Sequence, residues 1–137
     1  MNRLAQIVDL PRLLNICKTE SNKLGFIPWP RFGDDIRKGR IIVACEDDNI
    51  IGYLMHGPIK HVTFIHQCVV IESCRRFGVG TSLVEALEAK LPFRGVLRLG
   101  CREELEANQF WQYLGFKKET SRPGGRARGF QINIYSN

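Results

Sequence analysis

Apolar residues in this chain fall into short runs of two different periods. Strand-length runs occupy residues 41–46 and 51–56, and Asp47-Asp48-Asn49 between them predicts an antiparallel hairpin. A third strand is predicted over 62–71, after the Gly57-Pro58 break, and a further one over 96–101. Near the end, 117–120 is expected to pair with 129–135, where Phe130, Ile132 and Ile134 alternate with polar neighbours. Helical spacing appears first over 11–23, where Leu10, Leu13, Leu14 and Cys17 form one apolar face, Asp9 is the expected N-cap and Pro11 fits the first turn. It reappears over 81–91, with Leu83, Leu87 and Leu91 on one side and Pro92 as the stop. Shorter helices are expected over 32–38 and 103–113, the latter leaving through Leu114-Gly115-Phe116. Residues 25–30, with two prolines flanking Trp29, are expected to be irregular, and 3–8 to form a short edge strand. This order of elements predicts an α/β chain of the α+β type: a mixed, mostly antiparallel central sheet flanked by helices.

A length of 137 residues, 44% of them hydrophobic, suits one domain over 1–137. The sequence shows neither an apolar run of about eighteen residues nor a leader-like start, so a soluble, cytoplasmic protein with no membrane contact is expected. Five cysteines, Cys17, Cys45, Cys68, Cys74 and Cys101, are odd in number and lack C-x-x-C spacing, which points to reduced thiols rather than a disulfide framework or a zinc site. A net charge of +6 and a pI near 9.3 fit an anionic ligand and equally a nucleic-acid surface. The densest basic group, Arg122, Arg126 and Arg128 around Pro123-Gly124-Gly125, reads either as a solvated hairpin loop or as a patch for an acidic acceptor.

The segment Arg75-Arg76-Phe77-Gly78-Val79-Gly80-Thr81-Ser82 decides between ligand classes, because it lies between a predicted strand and a predicted helix. Gly78 and Gly80 are expected to free the backbone so that successive N–H groups converge on an anion at the helix start, where the helix dipole and two arginines add positive charge. No Lys follows Gly80, which excludes a P-loop, and Leu83 stands where a dinucleotide fingerprint needs its third glycine. What remains, Arg-x-x-Gly-x-Gly, resembles the coenzyme A pyrophosphate loop of the GCN5-related N-acetyltransferases. A second segment, 107–116 (ANQFWQYLGF), resembles the late helix of the same family, with its aromatic pair followed by Gly-Phe.

The resemblance implies an acyl-CoA N-acyltransferase fold and an enzyme that moves acetyl from acetyl-CoA to a primary amine of a small molecule or protein, by direct attack on the thioester. It implies cofactor contacts from Arg75, Arg76, Phe77, Gly78, Val79, Gly80 and Thr81, and from the main chain of Cys68, Val69 and Val70 on the preceding strand. It places the acceptor pocket near Trp29 and Phe32, and dimers are frequent in the family. A lysine-like amine of pKa about 10.4 is neutral in only about one part in a thousand near pH 7.4, so a base matters more than an acid. His66 is the first candidate base and Glu72 the second, with orientation of Arg75 or Arg76 as the other reading of Glu72. The family's usual acidic tyrosine lies four residues before the Gly-Phe glycine, a place held here by Trp111, which donates a hydrogen bond but delivers no proton. Tyr113 is the substitute candidate, although it lies about 200° further round the helix. Glu104 occupies the place of the family's asparagine, so Asn108 is the expected polar cofactor contact from this helix, alongside Trp111. Two rival readings remain open: a coenzyme A-binding module without turnover, and a basic nucleic-acid binder.

Overall fold

In the computed structural model, which describes residues 1–24, 27–124 and 130–137, seven strands form one mostly antiparallel sheet. They are β1 (Asn2–Leu4), β2 (Ile41–Glu46), β3 (Asn49–His56), β4 (Val62–Val70), β5 (Val96–Arg102), β6 (Lys117–Pro123) and β7 (Gln131–Ser136), in the spatial order β1-β2-β3-β4-β5-β7-β6. Four helices among the described residues flank the sheet: α1 (Leu10–Leu24), α2 (Trp29–Arg37), α3 (Val79–Glu88) and α4 (Ala107–Tyr113). This is the architecture that the periodicities predict. The chain divides into two compact units, residues 1–58 with 65–90, and residues 59–64 with 91–137. Arg126 and Arg128 of the basic loop, Gly129 of the last predicted strand, and Gly25 and Phe26 of the segment expected to be irregular lie outside the described residues.

In the first unit, Asp47 and Asp48 both take left-handed backbone angles (φ 49° and 65°), the geometry that lets a two-residue turn follow the twist of β2 and β3. β3 is buried from Ile50 to His56 because helices cover both of its faces. Leu13, Ile16 and Cys17 of α1 and Phe32 and Ile36 of α2 pack with Ile41, Val43, Tyr53, Met55 and Val69 of the strands. Each such side chain contributes about 1.5–3 kcal/mol on burial. Leu83, Val84 and Leu87 are buried where α3 packs on β2 and β3. Gly52 lies opposite Val70, and a Cβ there would stand 2.7 Å from the Val69 carbonyl oxygen, so the close approach of β3 to β4 requires glycine.

Several boundaries differ from the predicted ones for local reasons. Strand β1 is shorter than 3–8 because Ile7–Asp9 forms a 3₁₀ turn. Asp9 closes that turn instead of capping α1: its carboxylate accepts the Gln6 N–H at 2.8 Å and pairs with Arg3. Helix α2 starts at Trp29, inside the stretch expected to be irregular, because Pro28 is extended ahead of it and Pro30 falls in the first turn, where a missing N–H leaves nothing unpaired. Helix α3 covers 79–88 rather than 81–91, so Leu91 lies beyond it and Pro92 is not its stop.

In the second unit, β7 lies between β5 and β6, with Asn133 opposite Cys101 and Ser121, and Tyr135 opposite Leu99 and Lys118. Helix α4 begins at Ala107, four residues later than predicted, after a turn. Gly115, at φ 93°, ends it: the Gly115 N–H reaches the Gln112 carbonyl and the Phe116 N–H reaches that of Trp111. The alternation in β7 buries the polar side more fully than the apolar one. Ile132 and Ile134 are half-buried, whereas Asn133 and Tyr135 are buried.

Candidate active site

The segment after β4 descends through a 3₁₀ turn, Glu72–Cys74, and enters α3 through two residues in the left-handed region, Arg76 (φ 70°) and Gly78 (φ 81°). The left-handed pair is therefore Arg76 and Gly78, and the sequence expectation of special backbone freedom at Gly80 is corrected. Because α3 starts at Val79, Gly80 lies within its first turn, where its contribution is an absent side chain beside the N–H groups of Val79, Gly80 and Thr81. Those groups have no acceptor within their own helix. Gly78 provides no side-chain cap, and no acidic residue stands in the first turn of α3. Helix starts ordinarily carry one or the other, so this one keeps its donors and its positive dipole end available to an external anion. Arg76 and Phe77 are exposed and Val79 and Thr81 half-buried, so the residues present fit a bound pyrophosphate.

The two arginines of this loop differ. Arg76 faces solvent, whereas the Arg75 guanidinium donates from Nε to the Val70 carbonyl at 2.9 Å and from Nη2 to Glu20 Oε1 at 2.7 Å. The carboxylate that orients Arg75 is that of Glu20 on α1, which corrects the expectation for Glu72. Glu72 is exposed and lines a pocket of about 160 Å³ with Arg12, Asn15, Ile16, Thr19, Glu20 and Ile71. It lies beyond the end of β4, and His66 stands four residues inside that strand, roughly 13 Å along it, so the two base candidates do not share a site.

His66 owes its setting to a bulge. Met55 pairs with Gln67 but His56 pairs with Ile65, which leaves His66 as the extra residue of β4. Bulges of this kind re-aim a side chain. The exposed imidazole has its pKa lowered, first by the partial burial of its ring and then by the charge of Arg31, with Asp35 acting in the opposite sense. It is therefore neutral near pH 7 and able to take a proton. Further along β4, Cys68, Val69 and Val70 pair with Leu54, Tyr53 and Gly52. In an antiparallel ladder, about half of a strand's N–H and C=O groups point to its other edge. The Ile71 N–H reaches the Ile51 carbonyl and the Val69 carbonyl lies against Gly52, so Val69 spends its backbone groups on β3 and is removed from the expected cofactor contacts, whereas those of Cys68 and Val70 point to the other edge. The Val70 carbonyl is already engaged by Arg75, so Cys68 is the backbone position left to a ligand. Burial pushes the Cys68 thiol up to about 12 and the Cys101 thiol up to about 11, so neither is a thiolate at neutral pH.

The acceptor candidates separate. Trp29, at the start of α2, is 63% exposed, but Phe32 is fully buried with its ring edge-on to Tyr53, which corrects its assignment as a substrate contact: it is core.

In the second unit, Trp111 is buried between Phe110 and Phe116, edge-on to both. Tyr113 is 85% exposed, on a different side of α4 from Trp111, so it does not take the place of the missing tyrosine. Asn108 is buried and saturated. Its Nδ2 donates to the carbonyls of Arg102, Glu103 and Leu105, and its Oδ1 accepts from Asn133 Nδ2 and the Tyr135 hydroxyl. No polar capacity remains for a cofactor, and its expected role is corrected to anchoring α4 on β7. Sequence reasoning missed Glu20 and the Asn108–Asn133–Tyr135 network. The polar residues alternating along β7 were the one available signal for the network.

Comparison with known proteins agrees with this geometry. A sequence profile of the acetyltransferase (GNAT) family matches residues 9–116. No curated protein matches the chain in sequence. Among solved structures, Ard1 from Thermoplasma volcanium is similar at 19% identity and a TM-score of 0.87, covering 100% of this chain and 95% of that one. Ribosomal-protein-alanine N-acetyltransferase from Brucella melitensis is similar at 21% identity and a TM-score of 0.81, covering 100% and 98%. An aminoglycoside 6′-N-acetyltransferase complexed with coenzyme A is similar at 15% identity and a TM-score of 0.83, covering 100% and 96%.

Proposed function

This chain belongs to the GNAT family of acetyltransferases and is an N-acetyltransferase that uses acetyl-CoA; on that premise we propose that it acetylates a primary amine by direct transfer, with His66 as the base. The observation that carries the reading is the uncapped, acid-free start of α3 behind left-handed Arg76 and Gly78, an anion cradle at the end of β4. In this reading, Arg76 and the N–H groups of Val79, Gly80 and Thr81 hold the pyrophosphate, and Phe77 and Val79 border it. The main chain of Cys68 orients the pantetheine arm. Bound acetyl-CoA supplies an activated thioester whose thiolate is a good leaving group.

The remaining work is proton removal from the acceptor. An ammonium of pKa about 10.4 lies roughly 4 kcal/mol from its reactive neutral form near pH 7.4. A neutral imidazole at His66 takes that proton directly or through a water. The protonated thiols of Cys68 and Cys101 supply no nucleophile for a covalent relay, which favours attack by the amine itself. Trp29, exposed at the start of α2, is the aromatic wall offered to the acceptor. The solved relatives named for a ribosomal protein's alanine and for an aminoglycoside support an amine acceptor, small or on a protein.

The test is coenzyme A release across a panel of polyamines, aminoglycosides, amino acids and peptide N-termini, with the product weighed by mass spectrometry. The reading expects an increase of one acetyl group on an amine nitrogen and a loss of about 10²–10⁴ in kcat for His66→Ala. The buried Trp111 and the outward Tyr113 favour a second reading, a coenzyme A-binding module without turnover. Tight coenzyme A binding with no thiol release on any amine would select it.

A further inference from the structure

Resting on the cofactor reading above, we infer that Glu20 is a positioning residue for the pyrophosphate loop and that Arg75 acts as its brace rather than as a phosphate ligand. Arg75 is fixed at three points. Its backbone N–H reaches the Glu72 carbonyl at 3.2 Å, its Nε the Val70 carbonyl at 2.9 Å, and its Nη2 the Glu20 carboxylate at 2.7 Å. The Glu20 side chain is 10% exposed and that of Arg75 36%, so the pair is shielded from the screening that makes surface pairs weak. Glu20 comes from α1, 55 residues away in sequence, and so ties a rigid helix to the hinge between β4 and α3.

The next residue explains why a brace is needed. Arg76 holds φ at 70°, a region that a non-glycine side chain disfavours, and it persists only where its neighbours fix it. With Arg75 clamped between α1 and the end of β4, the chain is turned at Arg76 and Gly78, and the N–H groups of α3 are held in place before a ligand arrives. Preorganisation of this kind appears as affinity for the group that the loop receives and not as affinity for the rest of the ligand. Glu20 also brings a negative charge near an anion site, an effect that opposes the brace, so the test has to separate the two.

Two substitutions do this. Glu20→Gln removes the charge but keeps an oxygen acceptor for Arg75; Glu20→Ala removes both. Acetyl-CoA is titrated calorimetrically, and acetyl-pantetheine, which lacks the pyrophosphate, by NMR. The expected result is about tenfold weaker acetyl-CoA binding by Glu20→Ala than by Glu20→Gln, with acetyl-pantetheine binding the same in both and in the wild type. Equal acetyl-CoA affinities for the two variants overturn the inference. So does an equal loss for both ligands, which marks general damage to α1. A wild-type chain that binds acetyl-pantetheine and acetyl-CoA equally overturns the loop reading and the inference together, whereas normal wild-type discrimination with indifferent Glu20 variants overturns the inference alone.

Discussion

His66 and Phe32 show how far single residues were legible. The histidine was visible as the one imidazole in the strand ahead of the loop, but the bulge that singles it out was not, because buried and outward positions alternate without a break through Ile65, His66 and Gln67. Phe32 failed as a pocket residue because an aromatic near two prolines reads the same whether it faces a cavity or Tyr53. Glu20 was invisible because its partner lies 55 residues away. For His66 the pH dependence follows from the direction of its shift. A base works when unprotonated, and partial burial and Arg31 hold its pKa below the ordinary imidazole value, with Asp35 opposing and His56 and Arg40 adding to the lowering. The acidic limb of kcat/KM is therefore expected below that value, with most of the activity retained at pH 7. His66→Gln should remove that limb along with most of kcat, while leaving acetyl-CoA affinity within about twofold. A limb that survives the substitution assigns the base elsewhere.

Among the elements, strands and long helices were read from periodicity, and the errors collect where a local rule was overruled. Proline was taken to bar a helix at Trp29, but at the first turn it bars nothing. Asp9 looked like the cap of α1 and instead closes the turn before it. The consequence is measurable in acid. The hydrogen bond from Arg3, aided by the Gln6 N–H, lowers the Asp9 pKa below the usual carboxylate value against the opposing effect of its burial. Its stabilisation is then complete above the unfolded-state pKa and disappears as pH falls through the lowered folded value. Asp9→Asn should therefore destabilise the protein at neutral pH and progressively less in acid, as read from denaturant midpoints; a constant difference across that range contradicts the assignment. In the last hairpin, the apolar stripe was legible but the buried polar side was not. Asn108→Ala leaves Asn133 Nδ2 and the Tyr135 hydroxyl short of their acceptor and should lower stability by about 1–3 kcal/mol. A loss well under that range would mean that the network is replaced by other partners.

For the molecule as a whole, charge and composition narrowed the partner to something anionic without choosing it, since +6 suits a nucleotide cofactor and a nucleic acid alike. The choice came from eight contiguous residues, Arg75 to Ser82, in the order strand, loop, helix, and the family match over 9–116 supports it independently. Among the described residues, no helix is long and apolar enough to cross a membrane. The acceptor was the least legible part, since no motif in the chain specifies one. The most direct test of the central claim is a calorimetric titration of acetyl-CoA into the wild-type chain and into Gly80→Asp. An aspartate at the second position of α3 suits the helix dipole and so spares the fold, but it places a negative charge where the pyrophosphate is received. Micromolar binding by the wild type that disappears in Gly80→Asp, with the melting temperature unchanged, is the predicted result. Equal binding by the two proteins, or none by the wild type, would contradict the assignment of the loop.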